Sequence, residues 1–464
     1  MSLELIDPKT HRQLFLDDHA VESKEGVRRV LHKPELCGPM IRGGVQSRTP
    51  PLWNPEKGVW EWWYMGADRH ATSADGESWQ VSSGLADGLA TMPTLYHIVR
   101  DEAEPNPARR YKGLFGSTGR QLGVSADGFD WDMTDVVIPS QDESQFTHDV
   151  EQDRFLGFVK QPTEWGRSVW MSTSDDFRQF SEPELILHAD EVDWENCRQR
   201  VKRIVEDPAY ITPPIVDDVD YRAEIYNMAV LPYQGLYIGF PTVFNPIGAI
   251  PPPATNHTRI NQIELAVSHD LRHWERVANR EVFIGVEPWT GDNYGTSQLL
   301  PSGAPVVRDD GEIWCYYNAL RMPGSRQQYQ EFNRSKELFR LGVSAEAWQD
   351  LGALSLAKLP ADRFAALEAD EAGQVLTKPF ELKGEDVYLN ADAKWGKVYV
   401  EIVEGASRKA VEGFWVPLEE PEPFVGDEVR FKVTWKAQHD MVFHQPVRLR
   451  FYLHQARLYS FWIE

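Results

Sequence analysis

Apolar and polar positions alternate along most of this chain in short runs, each soon interrupted by a turn-forming phrase. Gln262-Ile-Glu-Leu-Ala-Val267 is one such run. A period of two predicts half-buried strands, and no long stretch carries a helical period. The interrupting phrase itself repeats. Ser73-Ala-Asp75-Gly-Glu-Ser-Trp79 has the frame S-x-D-x-x-x-W, and Ser125-Ala-Asp127-Gly-Phe-Asp-Trp131 restates it. Ser174 to Phe180 keeps the frame with Phe for Trp, and Ser268 to Trp274 is a fourth copy. Ser344-Ala-Glu346-Ala-Trp348 is a degraded fifth. A Ser/Asp pair closes a turn by binding nearby backbone N–H groups, and the aromatic then folds back onto the sheet. Each unit is therefore expected to be a small antiparallel sheet with this turn before its last strand. Val136–Ile138, Leu185–Leu187 and Val282–Ile284 are the expected outer strands.

The copies are 52, 49, 94 and 76 residues apart. The first two steps fit a four-stranded propeller blade. The 94-residue step reads as one blade with an insertion, because Asp190–Arg222 is charged, contains proline and lacks strand alternation. The last step carries a polar insertion, Gly324–Lys336. From about Val375 the pattern changes to short strands without the S-x-D turn: Val387–Leu389, Lys397–Val403, Glu428–Trp435, Val447–Leu453 and Leu458–Ile463. The expectation is an all-β protein, a five-bladed β-propeller over residues 1–370 followed by a β-sandwich over 371–464. A structural cap is the favoured role of the sandwich, with sugar binding as its alternative.

Composition narrows the function. Lys plus Arg is 48 against 71 for Asp plus Glu, a net charge of −23, so a nucleic-acid partner is not expected. Aromatic residues make up 12 % of the chain, beside 33 Gly and 31 Pro, which suits short strands and tight turns. Cys37, Cys197 and Cys315 form no C-x-x-C, so neither a disulfide framework nor a thiolate metal cluster is expected. With no 18-residue apolar run, no membrane span is expected either. The first residues lack the apolar core of a secretory signal, so the chain as it stands reads as cytoplasmic, and a trimmed signal would make it periplasmic or secreted. P-loop, G-x-G-x-x-G, H-E-x-x-H, EF-hand and Gly-x-Ser-x-Gly patterns are absent, and no cofactor or metal is expected.

The repeat frame and blade count resemble the five-bladed β-propeller glycoside hydrolases, the superfamily of glycoside hydrolase families 32 and 43. Leu14-Phe-Leu-Asp-Asp18, Gly26-Val-Arg-Arg29, Ala108-Arg-Arg-Tyr-Lys112, Glu224-Ile-Tyr-Asn-Met228, Phe380 to Asn390-Ala-Asp-Ala393, Arg448-Leu-Arg-Phe451 and Ala456-Arg-Leu-Tyr-Ser-Phe461 resemble, more narrowly, bacterial glycosidase-like propellers with a C-terminal sandwich. The resemblance implies a glycoside hydrolase, exo-acting on an oligosaccharide or a polysaccharide-derived substrate. The alternative is a propeller that binds carbohydrate without turning it over.

Glycoside hydrolysis needs one protonated and one ionised carboxyl, and the resemblance looks for them at the heads of inner strands. It implies Glu224, on the fourth blade, as general acid, and a third-blade acid to assist it. Asp142 is first for that place, with Glu143 and Asp149 competing. Asp292 heads the fifth blade between Trp289 and Tyr294, an arrangement that suits a sugar subsite, where rings stack and acids bind hydroxyls. Tyr226 and Asn227 follow Glu224 as substrate-binding candidates, and His148 is a candidate for the funnel floor. The first blade departs from the family pattern: Gly43-Gly-Val-Gln-Ser-Arg48-Thr-Pro-Pro51 has no carboxylate. Asp17 or Asp18 is one substitute for the missing acid, and another blade is the other source. Arg48 is expected to bind an anionic or hydroxyl-rich substrate.

Overall fold

A computed structural model describes residues 4–65, 70–82, 94–211, 215–217, 219–250, 256–321, 350–414, 423–435 and 442–464. Three four-stranded antiparallel sheets form the first three blades, and a ten-stranded sheet holds the fourth and fifth, joined by a parallel pairing of Asn261 with Gln298. The first blade runs Leu52–Asn54, Val59–Trp63, His70–Ser73 and Gln80–Val81, and the second Leu95–Arg100, Tyr111–Phe115, Arg120–Ser125 and Trp131–Ile138. The third is Ser144–Asp149, Arg154–Thr163, Gly166–Ser174 and Glu184–Leu187. The fourth opens with Glu224–Tyr233 and Leu236–Ile250, continues in Asn256–Ile263 and Ala266–Ser268, and ends in the short strand Glu275–Arg276. Val282–Ile284, expected as its outer strand, forms only an isolated bridge from Ile284 to Ile263. The fifth blade takes Gln298–Pro301, Ile313–Leu320 and Gly352–Leu359 from late in the chain and its outermost strand, Glu35–Arg42, from early in it.

The repeated phrase forms one structure four times. Ser73 Oγ accepts from Gly76 N at 2.8 Å, Asp75 Oδ1 accepts from Glu77 N and Ser78 N at 2.8 and 2.7 Å, and Trp79 Nε1 donates to Gly76 O at 3.0 Å. Ser125, Asp127 and Trp131 repeat each of these bonds, and so do Ser174 with Asp176. At Ser268–Trp274 the Asp270 and Trp274 bonds recur. The fourth residue of the frame always has positive φ: Gly76 and Gly128 at 84°, Phe177 at 54° and Leu271 at 67°. That residue docks the blade on its predecessor. A Cβ on Gly76 would lie 2.9 Å from Trp314 of the fifth blade, and one on Gly128 would lie 2.6 Å from Trp63 of the first. Phe177 and Leu271 are instead buried themselves, Phe177 in one core cluster with Leu114 and Leu122 of the second blade, Leu271 in one with Phe158 and Met171 of the third. Burying such a side chain stabilises by about 1.5–3 kcal/mol, enough to offset the left-handed backbone. The fifth copy, Ser344–Trp348, and the insertion Gly324–Lys336 lie outside the described residues.

The described residues between the third and fourth blades form no extra sheet. They hold a helix, Glu191–Glu206, capped by Asp190, whose side chain accepts from Val192 N and Asp193 N. Trp194 on this helix stacks on Trp165 of the third blade at 5.8 Å.

The C-terminal sheet corrects two expectations. Among the described residues it has seven strands, and three of them, Gln13–Leu14, Val21–Glu25 and Arg28–Leu31, come from the N-terminal segment that the division at residue 370 gave to the propeller. Val387–Leu389 and Lys397–Val403 are two halves of one strand, Val387–Glu404, and Val447–Leu453 and Leu458–Ile463 are halves of Val447–Ile463. With Ala365–Thr377 these long strands bend where their pairing shifts, between Ala369 and Ala372 and between Asp392 and Lys397. Residues from both halves of each strand, such as Leu389 with Val400 and Phe451 with Phe461, share one core. Asp362, buried at positive φ, joins this sheet to the propeller: it accepts from Tyr233 Oη at 2.6 Å and Ser460 Oγ at 2.7 Å and pairs with Arg12.

Candidate active site

Strand alternation gives the propeller two ends. The Ser/Asp turns and the hairpins joining first to second strands lie at one end, which we call the turn face. Inner strands begin at the other end, the mouth of the central funnel, together with the hairpins joining second to third strands.

Three ion pairs from the first, third and fourth blades meet at the mouth. Arg48, just before the first inner strand, binds Glu143 in a two-point pair, Nε to Oε2 and Nη2 to Oε1, both at 2.6 Å. Both residues are buried. Burial opposes the Arg48 charge and Glu143 more than offsets it, so its pKa is raised. Asn227 donates to Glu143 Oε2 at 3.3 Å. Lys160, buried on the second strand of the third blade, reaches out to Asp142 at 2.5 Å, whose side chain is 65 % exposed. Burial pushes the Lys160 ammonium down despite Glu143 and Asp142. Burial pushes Asp142 up, but Lys160 overrides it and the carboxyl sits below its usual range. Arg167, on the third strand of the same blade, pairs with Glu224 Oε2. Glu224 Oε1 accepts no hydrogen bond from the described residues. The three pairs are electrostatically connected, since Lys160 feels Glu143 and Arg167 acts on Asp142.

Rings line the same space. Lys160 Nζ lies 4.0 Å from the centre of the Tyr226 ring, Tyr226 stacks on Phe244, and Arg167 covers Phe244. Tyr96 donates to the Asp142 carbonyl and carries Arg120 on its face at 3.9 Å. Polar atoms buried on the strands below, including both His97 ring nitrogens, Gln145 Oε1, Asn227 Oδ1 and Ser297 Oγ, have no hydrogen-bond partner among the described residues. Orphan donors and acceptors of this kind are satisfied by water or by a hydroxyl-rich ligand. Burial drives the His97 imidazole down to about 3, so it is neutral.

Glu224, Asp142, Arg48, Tyr226 and Asn227 therefore come together, with Arg48 tied to Glu143 and not open to a ligand. The other candidates lie elsewhere. His148 is at the turn face, stacked on Phe155 at 4.3 Å and facing Asp101 and Asp153, so it does not line the funnel floor. Asp149 caps the adjoining turn and accepts from Tyr237 Oη. Asp17 binds His269, and Asp18 binds Lys24 and Arg29, so neither supplies the acid missing from the first blade. Trp289, Asp292 and Tyr294 gather around Arg321, which bonds the Asp292 carbonyl and lies 3.8 Å from the Tyr294 ring centre. The Asp292 carboxylate is exposed and bonded within its own turn by Thr290, and the Tyr294 hydroxyl serves Asp350. Among the described residues no contact joins this group to the three ion pairs. Sequence reasoning missed Lys160, Arg167 and Tyr96; the first two flank the tight hairpin Thr163–Gly166, a signal that was available.

Among the described residues no His/Cys/Asp/Glu cluster of metal-binding size occurs. No family model matches the chain, and no curated protein matches it. Solved structures of similar outline include an N-acetylgalactosamine deacetylase from F. plautii, at 14 % identity over 72 % of this chain and 96 % of that one, with a TM-score of 0.40. The catalytic domain of a Coprinopsis cinerea GH62 alpha-L-arabinofuranosidase has 11 % identity over 70 % and 97 %, with a TM-score of 0.39. An exo-beta-1,3-galactanase from Phanerochaete chrysosporium has 7 % identity over 94 % and 100 %, with a TM-score of 0.35. At these values the likeness says nothing about chemistry, which rests on the chain's own side chains.

Proposed function

We propose that the chain is a glycosidase working at the mouth of the funnel. The observation that carries this reading is that Asp142 and Glu224, from adjacent blades, both lie within the field of Arg167, which pairs with Glu224 and lowers Asp142, while buried polar atoms on the inner strands below lack partners among the described residues. In it Glu224 Oε1 protonates the leaving oxygen, and Asp142 is the ionised partner that activates water or attacks the sugar. The low-lying Asp142 carboxyl suits that second role. Arg48 with Glu143 forms a floor in place of a first-blade acid, beside the Tyr226 ring that Lys160 and Phe244 hold in place. The helix Glu191–Glu206, packed on the third-blade hairpin through Trp194 and Trp165, walls one side of the mouth and favours attack at a chain end.

Glu224→Gln and Asp142→Asn should each lower kcat on a panel of nitrophenyl glycosides by about 10²–10⁴-fold, and Glu224→Gln, whose partner Arg167 is partly exposed, should leave the melting temperature little changed. Full turnover by Glu224→Gln would remove the proposed acid. A second reading is a binding propeller without turnover, favoured by one observation: each of the three mouth carboxylates already has a cationic partner. Binding of oligosaccharides with no release of reducing ends by the wild type would select it.

A further inference from the structure

The corner where the long C-terminal strands bend presents a tryptophan to solvent. Trp395 is 87 % exposed, by far the most exposed large aromatic among the described residues. It stands beside a groove of about 330 Å³, within the size of ordinary small-ligand sites. Its place on the chain is fixed. The next residue, Gly396, lies so close to the neighbouring strand that a Cβ would fall 1.7 Å from His454 O. Gln455, opposite, has a left-handed backbone with φ 45°. Paired residues clamp both sides of the bend, Asp392 with Arg457 and Lys397 with His454. The ring is thus carried on a stiff corner, which lowers the ordering cost of binding.

The groove's chemistry is mixed. Buried Ala369 and Ala456 form a shallow floor, while Glu368, Asp392, Gln455 and Arg457 supply acceptors and donors around it. Glu368 is oriented by Arg457 at 2.7 Å and by Arg28. With Asp370 and Lys394 the lining has three acids and two bases, so it offers no attraction to an anion. A flat apolar ring beside fixed hydrogen-bonding groups fits the two faces of a sugar, C–H on one side and hydroxyl at the edge.

We propose that this corner binds uncharged saccharide chains, at a site sharing no residue with the mouth of the funnel. The inference does not rest on turnover and holds even if the mouth proves inert. Full-length protein run in native gels cast with xylan, arabinan, galactan, mannan or mixed-linkage β-glucan should be retarded by at least one of them. Trp395→Ala should lose that retardation by tenfold or more in apparent affinity, while Trp395→Phe retains part of it. The bound polysaccharide should also protect Trp395 from N-bromosuccinimide oxidation, read by peptide mass spectrometry. Retardation of Trp395→Ala equal to wild type, retardation only by polygalacturonate, or no retardation in any gel each overturns the proposal. Failure of the glycosidase reading would show separately, as absent turnover in a protein that still binds.

Discussion

The two ends of the propeller are built on different rules. At the turn face each of the first four blades uses seven contiguous residues to close its last hairpin, and the fourth of the seven faces the blade before it. At the mouth nothing repeats. Arg48, Glu143, Lys160, Arg167 and Glu224 come from five separate strands or loops, and their partners are settled only once three blades stand side by side. Contiguous construction stabilises the ring and leaves a signature in the sequence. Dispersed construction leaves the mouth free to vary, and with it the chemistry.

Three measurements can break or sharpen this contrast. The largest effect is expected for Arg48→Met, which strands Glu143 buried without its charge partner. Urea unfolding should show a loss of about 3–5 kcal/mol, the usual cost of breaking one half of a buried pair. A loss under about 1 kcal/mol would mean that the mouth pairs are not structural and that the ring stands on its turns alone. Asp127→Ala removes the acceptor for Phe129 N and Asp130 N and should cost about 1 kcal/mol, like loss of a helix cap. An effect as large as that of Arg48→Met would put the stability of the ring at the turn face.

The smallest effect depends on pH. The backbone N–H of His273 and the His273 side chain hold Asp270 below the ordinary carboxylate range. A carboxyl whose folded value is depressed contributes stability above its unfolded value of about 3.9, and that contribution fades as pH falls toward the folded value. Asp270→Asn should therefore melt below wild type at neutral pH, and the gap should narrow over the range below about pH 4. A gap constant over that range would show that Asp270 acts through geometry and not through its charge.

The same contrast explains what could be read in advance. Four of the blades were legible because their turns are local, with Ser, Asp and an aromatic acting within seven positions. The N-terminal strands in the C-terminal sheet were not, because Gln13 and Leu14 pair with Phe461 and Ser460 at the other end of the chain. Two pairs of short strands were read where two bent strands exist, since Lys394-Trp-Gly396 and His454-Gln455 look like turns and are corners. Glu224 stands at the head of an inner strand, where the resemblance placed it. Asp142 and Glu143, neighbours at the head of another, face different ways, one to exposed water and Lys160, the other to buried Arg48. Most phrases that carried the family resemblance turn out to be scaffold: Lys112 is locked to Asp101, Asp18 to Arg29, and Asn390 to Arg363. That is why they spoke for architecture and left the mouth undetermined.

The early strand Glu35–Arg42 that completes the fifth blade also sets a timetable. On a ribosome it emerges before any blade, and its partner strand Gly352–Leu359 begins 310 residues after Arg42. At about 5–20 residues per second that interval is on the order of 15–60 s. Val21–Glu25 and Arg28–Leu31 wait longer still, for Ala365–Thr377. Through that interval the nascent chain carries a leading segment of unpaired strand edges beside an open ring. Such edges are sites of aggregation. Arg28, Arg29, Lys33 and Glu35 put charge along this segment, a safeguard against joining the wrong chain before its own end arrives.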